Sequence, residues 1–566
     1  MILRALYDYY QRRKDVAPRG FEYKELGFLI VISKDGDFVR IEDCRIDKKR
    51  CNIFLVPKTV SRSGSKSGMF PCMMWDNTRF VLGISKNETP NPEGQYLDAF
   101  KQSVRNLLKK HPESERIYAV CKFYDKYPEK DLSPVFANDV LYKDILETTK
   151  NISFRIQGDL LIAAEDPAIK EDIYNTENQT INGNICLVTG LKSEIARIHS
   201  KTPLPGATFA SLVSFQKGYG YDSYGKEQAY NASVSTEAEF AYTTALNLLS
   251  SRDSHNKFSI GNRTFLFWSS SDSEASKASE ESIFAFFGHT EENDDPNKRI
   301  ELVQQTFLSI YNGKLTSSKD DRFFILGLAP NSARIAVVYW AELPLLQFAR
   351  IINQHFEDME ITDARKEKKP FAGLHSILGA VSLEGKSSNV SPNLPDAVVK
   401  SIFQGLPYPT SLYQSCIRRI RAEQTIYKTR AAIIKAYLNR LNDSNNKKLD
   451  IMLDKENTNQ GYLCGRLFAV LENLQYAANG QDSIRSSYMN AASSTPSAIF
   501  STILKLSNNH FGKLSKDKKG LALFFDKQKT EILSSLNDFP DTLDLQDQGR
   551  FFLGYYHQKN YKETEQ

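Results

Sequence analysis

Residues 214–235, SFQKGYGYDSYGKEQAYNASVS, collect side chains that bind rather than react. Four tyrosines (Tyr219, Tyr221, Tyr224 and Tyr230) stand among three glycines (Gly218, Gly220 and Gly225), two lysines (Lys217 and Lys226) and the amides Gln216, Gln228 and Asn231. No apolar period of 2 or 3.6 runs through the stretch, so it reads as a long loop. Its ring content is foreign to disordered segments. Flat rings stack on bases, lysines meet phosphates, and carboxamides read base edges. Gln216, Lys217, Tyr219, Lys226 and Asn231 are therefore candidate nucleic-acid contacts. A tyrosine-rich loop packed on its own domain has the same composition.

Three other places carry similar groups. A Ser/Gly-rich loop at 57–70 holds Lys58, Arg62 and Lys66, and Asn77 follows it in Trp75-Asp76-Asn77. The segment GKSSNVSPNL at 385–394 offers Lys386 and Asn389 on a Gly/Pro-bounded loop that suits phosphate or groove contacts, or a plain turn. Arg418, Arg419, Arg421, Lys428, Arg430, Lys435 and Arg440 fall in one helical pattern over 412–441. Laid along a nucleic-acid backbone, each such cation adds to a salt-dependent affinity; an ordinary solvated helix face carries the same charges.

Patterns that would carry catalysis fail. GYDSYGK at 220–226 copies the start of a phosphate loop, but Glu227 stands where the magnesium ligand Ser or Thr belongs, and no apolar strand runs into it. The eight histidines are scattered, without HExxH or a His-Asp pair, and GxSxG is absent. Asp294-Asp295 lies in an acidic run before a proline. No catalytic residue, metal ligand or cofactor is singled out. A metal-dependent nuclease acting by itself is the rival class.

The chain of 566 residues, 41% hydrophobic and 25% charged, is long enough for two to four domains. Its net charge of +5 hides blocks: 45–66 holds seven Lys/Arg against one acid, 411–450 nine against three, and 272–301 nine acids against three bases. Such blocks point to a polyanion partner on one face. Seven cysteines form no CxxC pair, which fits a reducing cytosol, and no apolar run is long enough to span a membrane.

The elements that would position these groups follow from periodicity. Helices are expected at 3–13, 96–110 and 237–249, the last capped by Thr236, with a further one at 344–355. Strands are expected at 28–32, 38–41, 53–56, 79–82, 117–123, 152–156, 160–163, 264–268, 322–328 and 335–340. Residues 269–282 and 291–296 read as exposed connections, and the charged stretch 363–369 as a separator. From about 392 strand signals vanish. Helices then follow over 412–441, 462–478, 497–510, 520–536 and 546–559, with a polar break at 442–448. The fold class is α+β: a mixed α/β part over 1–390, then a helical bundle over 391–566.

Several blocks together carry a family likeness: MILRALYDYYQR, GFEYKELGFLIVI, MMWDNTRFVLG, DSYGKEQAYNASVS, FFILGLAPNSARIAVVYW, GKSSNVSPNLP, IRRIRAEQ, NQGYLCGRLFAVLENLQYAAN, SYMNAASSTPSAIFSTILKL and DQGRFFLGYYHQ. In this order they resemble the large subunit of the type I-C CRISPR Cascade surveillance complex. The resemblance implies a non-enzymatic, cytoplasmic subunit that checks the motif flanking a target and opens the duplex there. Base pairing with the guide reads the rest. It implies as partners the CRISPR RNA, target double-stranded DNA with its displaced strand, the Cascade backbone subunits, the guide-handle-binding subunit and a helicase-nuclease recruited in trans. It also implies that residues 452–566 resemble a small subunit made from an internal start, for which Met452 is the candidate. Residue chemistry and loop context make Asn77, Gln216, Lys217, Tyr219, Lys226, Asn231, Lys386 and Asn389 the expected flanking-motif or duplex contacts, and the likeness covers only their blocks. Arg418, Arg419, Arg421, Arg430, Lys435 and Arg440 are the expected strand or guide contacts, the first three within the matched IRRIRAEQ block and the others on charge alone.

Overall fold

The computed structural model describes the chain apart from residues 14, 48–49, 61–69, 85–94, 149, 178–182, 207–209, 219–223, 261, 287–295, 332–333, 364–372, 387–388, 442–447, 482 and 562–566. It divides into two compact units, one of Leu3–Thr202 with Val213–Leu248, the other of Pro203–Leu212 with Leu249–Gln566.

In the first unit, β1 (Phe21–Glu25) and β4 (Ile53–Pro57) form an antiparallel ribbon. The central strand β2 (Phe28–Ile32) is buried along its whole length. It pairs antiparallel with β3 (Phe38–Asp43) and parallel with β6 (Asn151–Ile156), and β5 (Trp75–Asn77) completes the order β3-β2-β6-β5. The β2–β3 turn needs Gly36: its φ is 82°, and a Cβ there would stand 2.4 Å from the Phe123 amide nitrogen. Around the sheet lie α1 (Ile2–Arg12), α2 (Thr78–Val81), α3 (Gln95–Lys110), α4 (Glu115–Lys126), α5 (Tyr142–Glu147) and α6 (Pro167–Glu177). A small hairpin, β7 (Asn184–Ile185) with β8 (Lys192–Ser193), precedes α7 (Thr236–Ser250).

Two expected strands here are helices. At 79–82 the Asn77 side chain accepts from the Arg79 and Phe80 amides and starts α2. At 117–123 the Ser114 hydroxyl accepts from the Ile117 amide and starts α4; a short apolar run cannot by periodicity alone tell a buried helix from a strand. Residues 160–163 pair back only through one Arg155–Ile162 bridge before a 3₁₀ turn. The cap of α7 is Ser235, whose hydroxyl accepts from the Ala238 amide at 3.1 Å, one residue before the expected Thr236.

The second unit joins an antiparallel sheet to the helices. Its strands are β9 (Lys257–Ile260), β10 (Arg263–Ser269), β11 (Arg322–Asn331) and β12 (Arg334–Pro344), in the order β12-β11-β10-β9. Its helices are α8 (Glu274–Phe286), α9 (Pro296–Tyr311), α10 (Leu345–Met359), α11 (Leu374–Val381), α12 (Leu394–Gln404), α13 (Thr410–Glu423) and α14 (Lys428–Arg440). The last five are α15 (Gln460–Asn479), α16 (Ile484–Ala492), α17 (Pro496–Asp517), α18 (Lys519–Ser535) and α19 (Leu545–Asn560). One apolar core runs from Phe265, Phe323 and Tyr339 on the sheet through Phe348 and Ile434 to Phe468 and Phe551. The boundary expected near 390 therefore falls inside a continuous core.

Of residues 269–282, expected to be an exposed connection, 270–273 do connect β10 to the helix, while 274–282 form most of α8, in which Ser276 and Ser279 are fully buried. The Ser279 hydroxyl donates to the Ala275 carbonyl at 2.7 Å, so a small polar side chain enters the core without an orphaned group. The single helix expected over 412–441 is two, broken at Gln424, which takes a left-handed conformation at φ 50°. The acidic stretch 291–296 and the separator 363–369 lie almost wholly, and the polar break 442–448 mostly, outside the described residues. Among the described residues no helix is long and apolar enough to cross a membrane.

Helices α15 and α19 meet through backbone. A Cβ on Gly465 would stand 1.9 Å from the Phe551 carbonyl oxygen, and one on Gly554 2.2 Å from that of Tyr462. Only hydrogen fits at this seam.

Two buried histidines make the second unit acid-sensitive. His355 shares a hydrogen bond of 2.8 Å with Tyr408, and His557 one of 2.9 Å with Tyr462. Burial, with Arg440 near the first and Lys435 near the second, pushes both imidazoles down to about 3. An unfolded chain protonates them near 6.5. Stability from this source is complete above that value and drains as pH falls toward 3. The denaturation midpoint is expected to drop between pH 7 and pH 5, and to drop less in the His355→Gln/His557→Gln variant. Equal slopes would refute the assignment.

Candidate nucleic-acid interface

In the first unit the Tyr-rich loop ends on the first turn of α7, and that turn carries a buried carboxylate. Glu239, 6% exposed, accepts from the Ser200 amide at 2.6 Å and lies 3.5 Å from the Lys58 ammonium. Lys58 also sits 5.1 Å over the Phe240 ring. One residue earlier, the Pro57 carbonyl accepts from the Trp75 indole at 2.8 Å. Glu239 and Trp75 thus tie together the start of the Ser/Gly-rich loop, the strand that ends at Asn77, and the base of the Tyr-rich loop.

The far half of the loop is pinned by backbone. Ala229 donates to the Arg197 carbonyl, Leu187 to that of Ser233, and Ala196 to that of Val234. Tyr224, Gln228 and Ser233 all have positive φ (51°, 49° and 46°), as do Gly218 and Gly225. A left-handed non-glycine residue costs on the order of 1–2 kcal/mol, so three within ten residues are held in place by their surroundings. Tyr224 is wholly exposed, and Lys226 and Gln216 are exposed too. Tyr219 lies outside the described residues.

The candidate amides shape loops. Asn77 caps α2. Asn231 donates to the Lys226 and Gln228 carbonyls, both at 2.9 Å, and closes the turn between them. Asn389 donates to the Leu383 carbonyl at 3.1 Å. The lysines are looser: Lys217 pairs with Glu227 and Lys386 with Glu384, each at 2.6 Å and largely in solvent. Such pairs contribute about 0–1 kcal/mol and exchange readily for a phosphate.

The arginine-rich pattern splits in two. Arg418 is exposed and donates to the Ser415 hydroxyl at 3.0 Å, Arg419 pairs with Glu423, and Arg421 is half-buried. The other three candidates point inward, a correction to the charge reading. Arg430, 2% exposed, donates to the Ala380 and Thr425 carbonyls, each at 3.0 Å, and pairs with Glu423 at 2.6 Å. Lys435, 3% exposed, donates to the Glu357 carbonyl at 3.2 Å, and burial lowers its pKa. Arg440 pairs with Asp358 at 2.6 Å and donates to the Ser401 and Leu406 carbonyls. Arg430 lies three and four residues before Ile433 and Ile434, on the apolar stripe itself. That spacing was the available signal for its burial.

Residues 6–561 match the family described as CRISPR-associated protein (Cas_Csd1). The chain belongs to the Cas_Csd1 family. No curated protein matches it. The match spans both compact units of this CRISPR-associated protein, so the Tyr-rich loop and the arginine-bearing helices lie within one family-wide sequence. Among the described residues no group of three or more His, Cys, Asp or Glu side chains is placed to hold a metal ion.

The charge reading of this CRISPR-associated chain also passed over a group on α15. Glu472, Asn473, Tyr476 and Asn479 lie along one side of that helix, and they gather Lys559, Arg485, Lys513 and His510 from three other helices. These side chains are scattered between 485 and 559, and only the fold assembles them.

Proposed function

We propose that the chain is the large subunit of a type I-C Cascade complex, a non-catalytic reader of the motif flanking the target. It works with the CRISPR RNA, the backbone subunits and the guide-handle-binding subunit, and it recruits a helicase-nuclease that does the cutting. The observation that carries this reading is the Tyr-rich loop. Its far half is held in left-handed conformations by backbone bonds to Leu187, Ala196 and Arg197, while Tyr224, Lys226 and Gln216 face solvent. A loop fixed before binding loses little entropy on docking, which leaves binding energy for opening the duplex. Motif contacts start the opening, and guide pairing continues it in near-balanced exchange. Met452, exposed between α14 and α15, is the proposed internal start of a small subunit carrying α15 to α19.

The test is duplex binding by the assembled guide complex, comparing a correct with a scrambled flanking motif. Lys226→Ala with Gln216→Ala is expected to abolish at least tenfold of the preference and to leave binding of guide-complementary single strands intact. A preference that survives would turn the loop into packing or subunit interface.

A further inference from the structure

The side of α15 that faces solvent is laid out as a nucleotide platform. Tyr476 stands on it 60% exposed. One turn earlier, Glu472 is fully buried, yet its carboxylate lies 3.3 Å from the Lys559 ammonium and 3.6 Å from the Arg485 guanidinium and accepts from the Tyr555 hydroxyl at 2.6 Å. Asn473 accepts a second bond from Lys559 at 2.8 Å. One turn later, the Asn479 carbonyl oxygen accepts from Lys513 at 3.0 Å, and its amide nitrogen lies 3.2 Å from His510 Nδ1. Burial and the neighbouring Lys513 push the His510 imidazole down, so it adds a polar group rather than a charge.

The spacing carries the argument. Residues 472, 476 and 479 fall on one helical stripe, with a turn of about 5.4 Å between successive groups. The ring therefore has fixed cations on both sides along the axis. Lys559 and Arg485 share the Glu472 carboxylate, and Lys513 is held by the neutral Asn479 side chain, so these groups together are positive. Buried or amide partners hold each of them, so little rotamer entropy remains to be lost when a ligand binds. An acidic peptide would use the cations but leave the ring in water. A nucleic-acid strand uses both, because every base offers a face to a ring and every base is followed by a phosphate.

We propose that Tyr476, flanked by Lys559 with Arg485 and by Lys513 with His510, is a binding site for single-stranded nucleic acid. The base stacks on Tyr476 and the adjoining phosphates meet Lys559 and Lys513. The site lies in the second unit, and its test is independent of motif reading by the Tyr-rich loop.

The experiment uses the full chain and an oligo-dT probe carrying one 5-iodouracil. Photocrosslinking followed by peptide mapping is expected to mark Tyr476 or its tryptic peptide. Tyr476→Ala is expected to weaken oligo-dT binding by about 5- to 150-fold, the range for loss of one base–ring stack. Tyr476→Phe keeps the ring and is expected to bind like wild type. Lys513→Gln is expected to reduce the salt slope of binding by about one counterion. Neither Tyr476 variant should disturb folding, because the side chain is exposed. Equal affinity in Tyr476→Ala, equal weakness in the Phe and Ala variants, or crosslinks that map only to other segments would each overturn the site. Motif preference in duplex should be unchanged in Tyr476→Ala, whichever way the Tyr-rich loop is decided.

Discussion

Gly465→Ala is expected to destabilise the second unit, although alanine is the better helix former. In an exposed helix the change gains about 1 kcal/mol. At Gly465 the new Cβ would lie 1.9 Å from the Phe551 carbonyl oxygen, which is backbone and cannot rotate away. Helices α15 and α19 must move apart, and the movement carries with it the contacts of Gly461 with Asp547 and of Gly554 with Tyr462. Overpacking a fixed core costs about 1–3 kcal/mol, occasionally more, so the net loss reaches about 2 kcal/mol once the helix gain is subtracted, and Gly465→Val should lose more. The internal control is Gly512 on α17, where an added Cβ meets nothing within 4 Å. Gly512→Ala is expected to raise the denaturation midpoint. If both substitutions shift stability the same way, the seam does not depend on glycine.

Arg430→Met is the second large effect. It removes the donors to the Ala380 and Thr425 carbonyls, which join α11 to the turn between α13 and α14. Each carbonyl left without a partner costs about 1–3 kcal/mol. Glu423 is 36% exposed on its side chain and returns to water, so its loss of partner adds little. The expected total is about 3 kcal/mol, against less than about 0.5 kcal/mol for Arg418→Met on the exposed face. Nucleic-acid binding should respond in the opposite sense. Arg418→Met is expected to flatten the salt slope, and folded Arg430→Met to leave it unchanged. A flattened slope from Arg430→Met would return that residue to the binding surface.

The two arginines show what a one-dimensional reading resolves. The β2–β3 hairpin and the pairing of β11 with β12 are legible because apolar runs flank turn residues (Lys34-Asp35-Gly36 and Pro330-Asn331), and the long C-terminal helices because apolar residues recur along long stretches without strand signals. Short apolar runs failed. At 117–123 the residues IYAVCKF are compatible with a strand, and the deciding fact is the Ser114 cap three residues upstream. A serine-rich composition is misleading at 276–279: the Ser279 hydroxyl is satisfied by the Ala275 carbonyl four residues back, and that of Ser276 by the hydroxyls of Ser271 and Ser273. Charge singles out segments but not which way each side chain points: along 412–441 Arg418 faces solvent, while Arg430 and Lys435 are buried. Arg430 and Lys435 reach carbonyls on helices or turns far away in the chain, and no local pattern encodes those acceptors. The Tyr476 platform was illegible for the same reason: its cations come from α16, α17 and α19.

The seam between α15 and α19 has a consequence for how this chain can vary. Where two backbones touch, separation is set by the absence of side chains, and no substitution can tune it. The frame of the bundle is therefore silent to selection except by loss. Exposed side chains such as Tyr476, and those of the lysine-bearing turn between α17 and α18, can be exchanged without moving the axes beneath them, so only binding constrains them. A saturation library scored for folding should show a sharp contrast: near-total intolerance at Gly461, Gly465 and Gly554, and tolerance at Tyr476. The bundle holds its shape while its surface specialises.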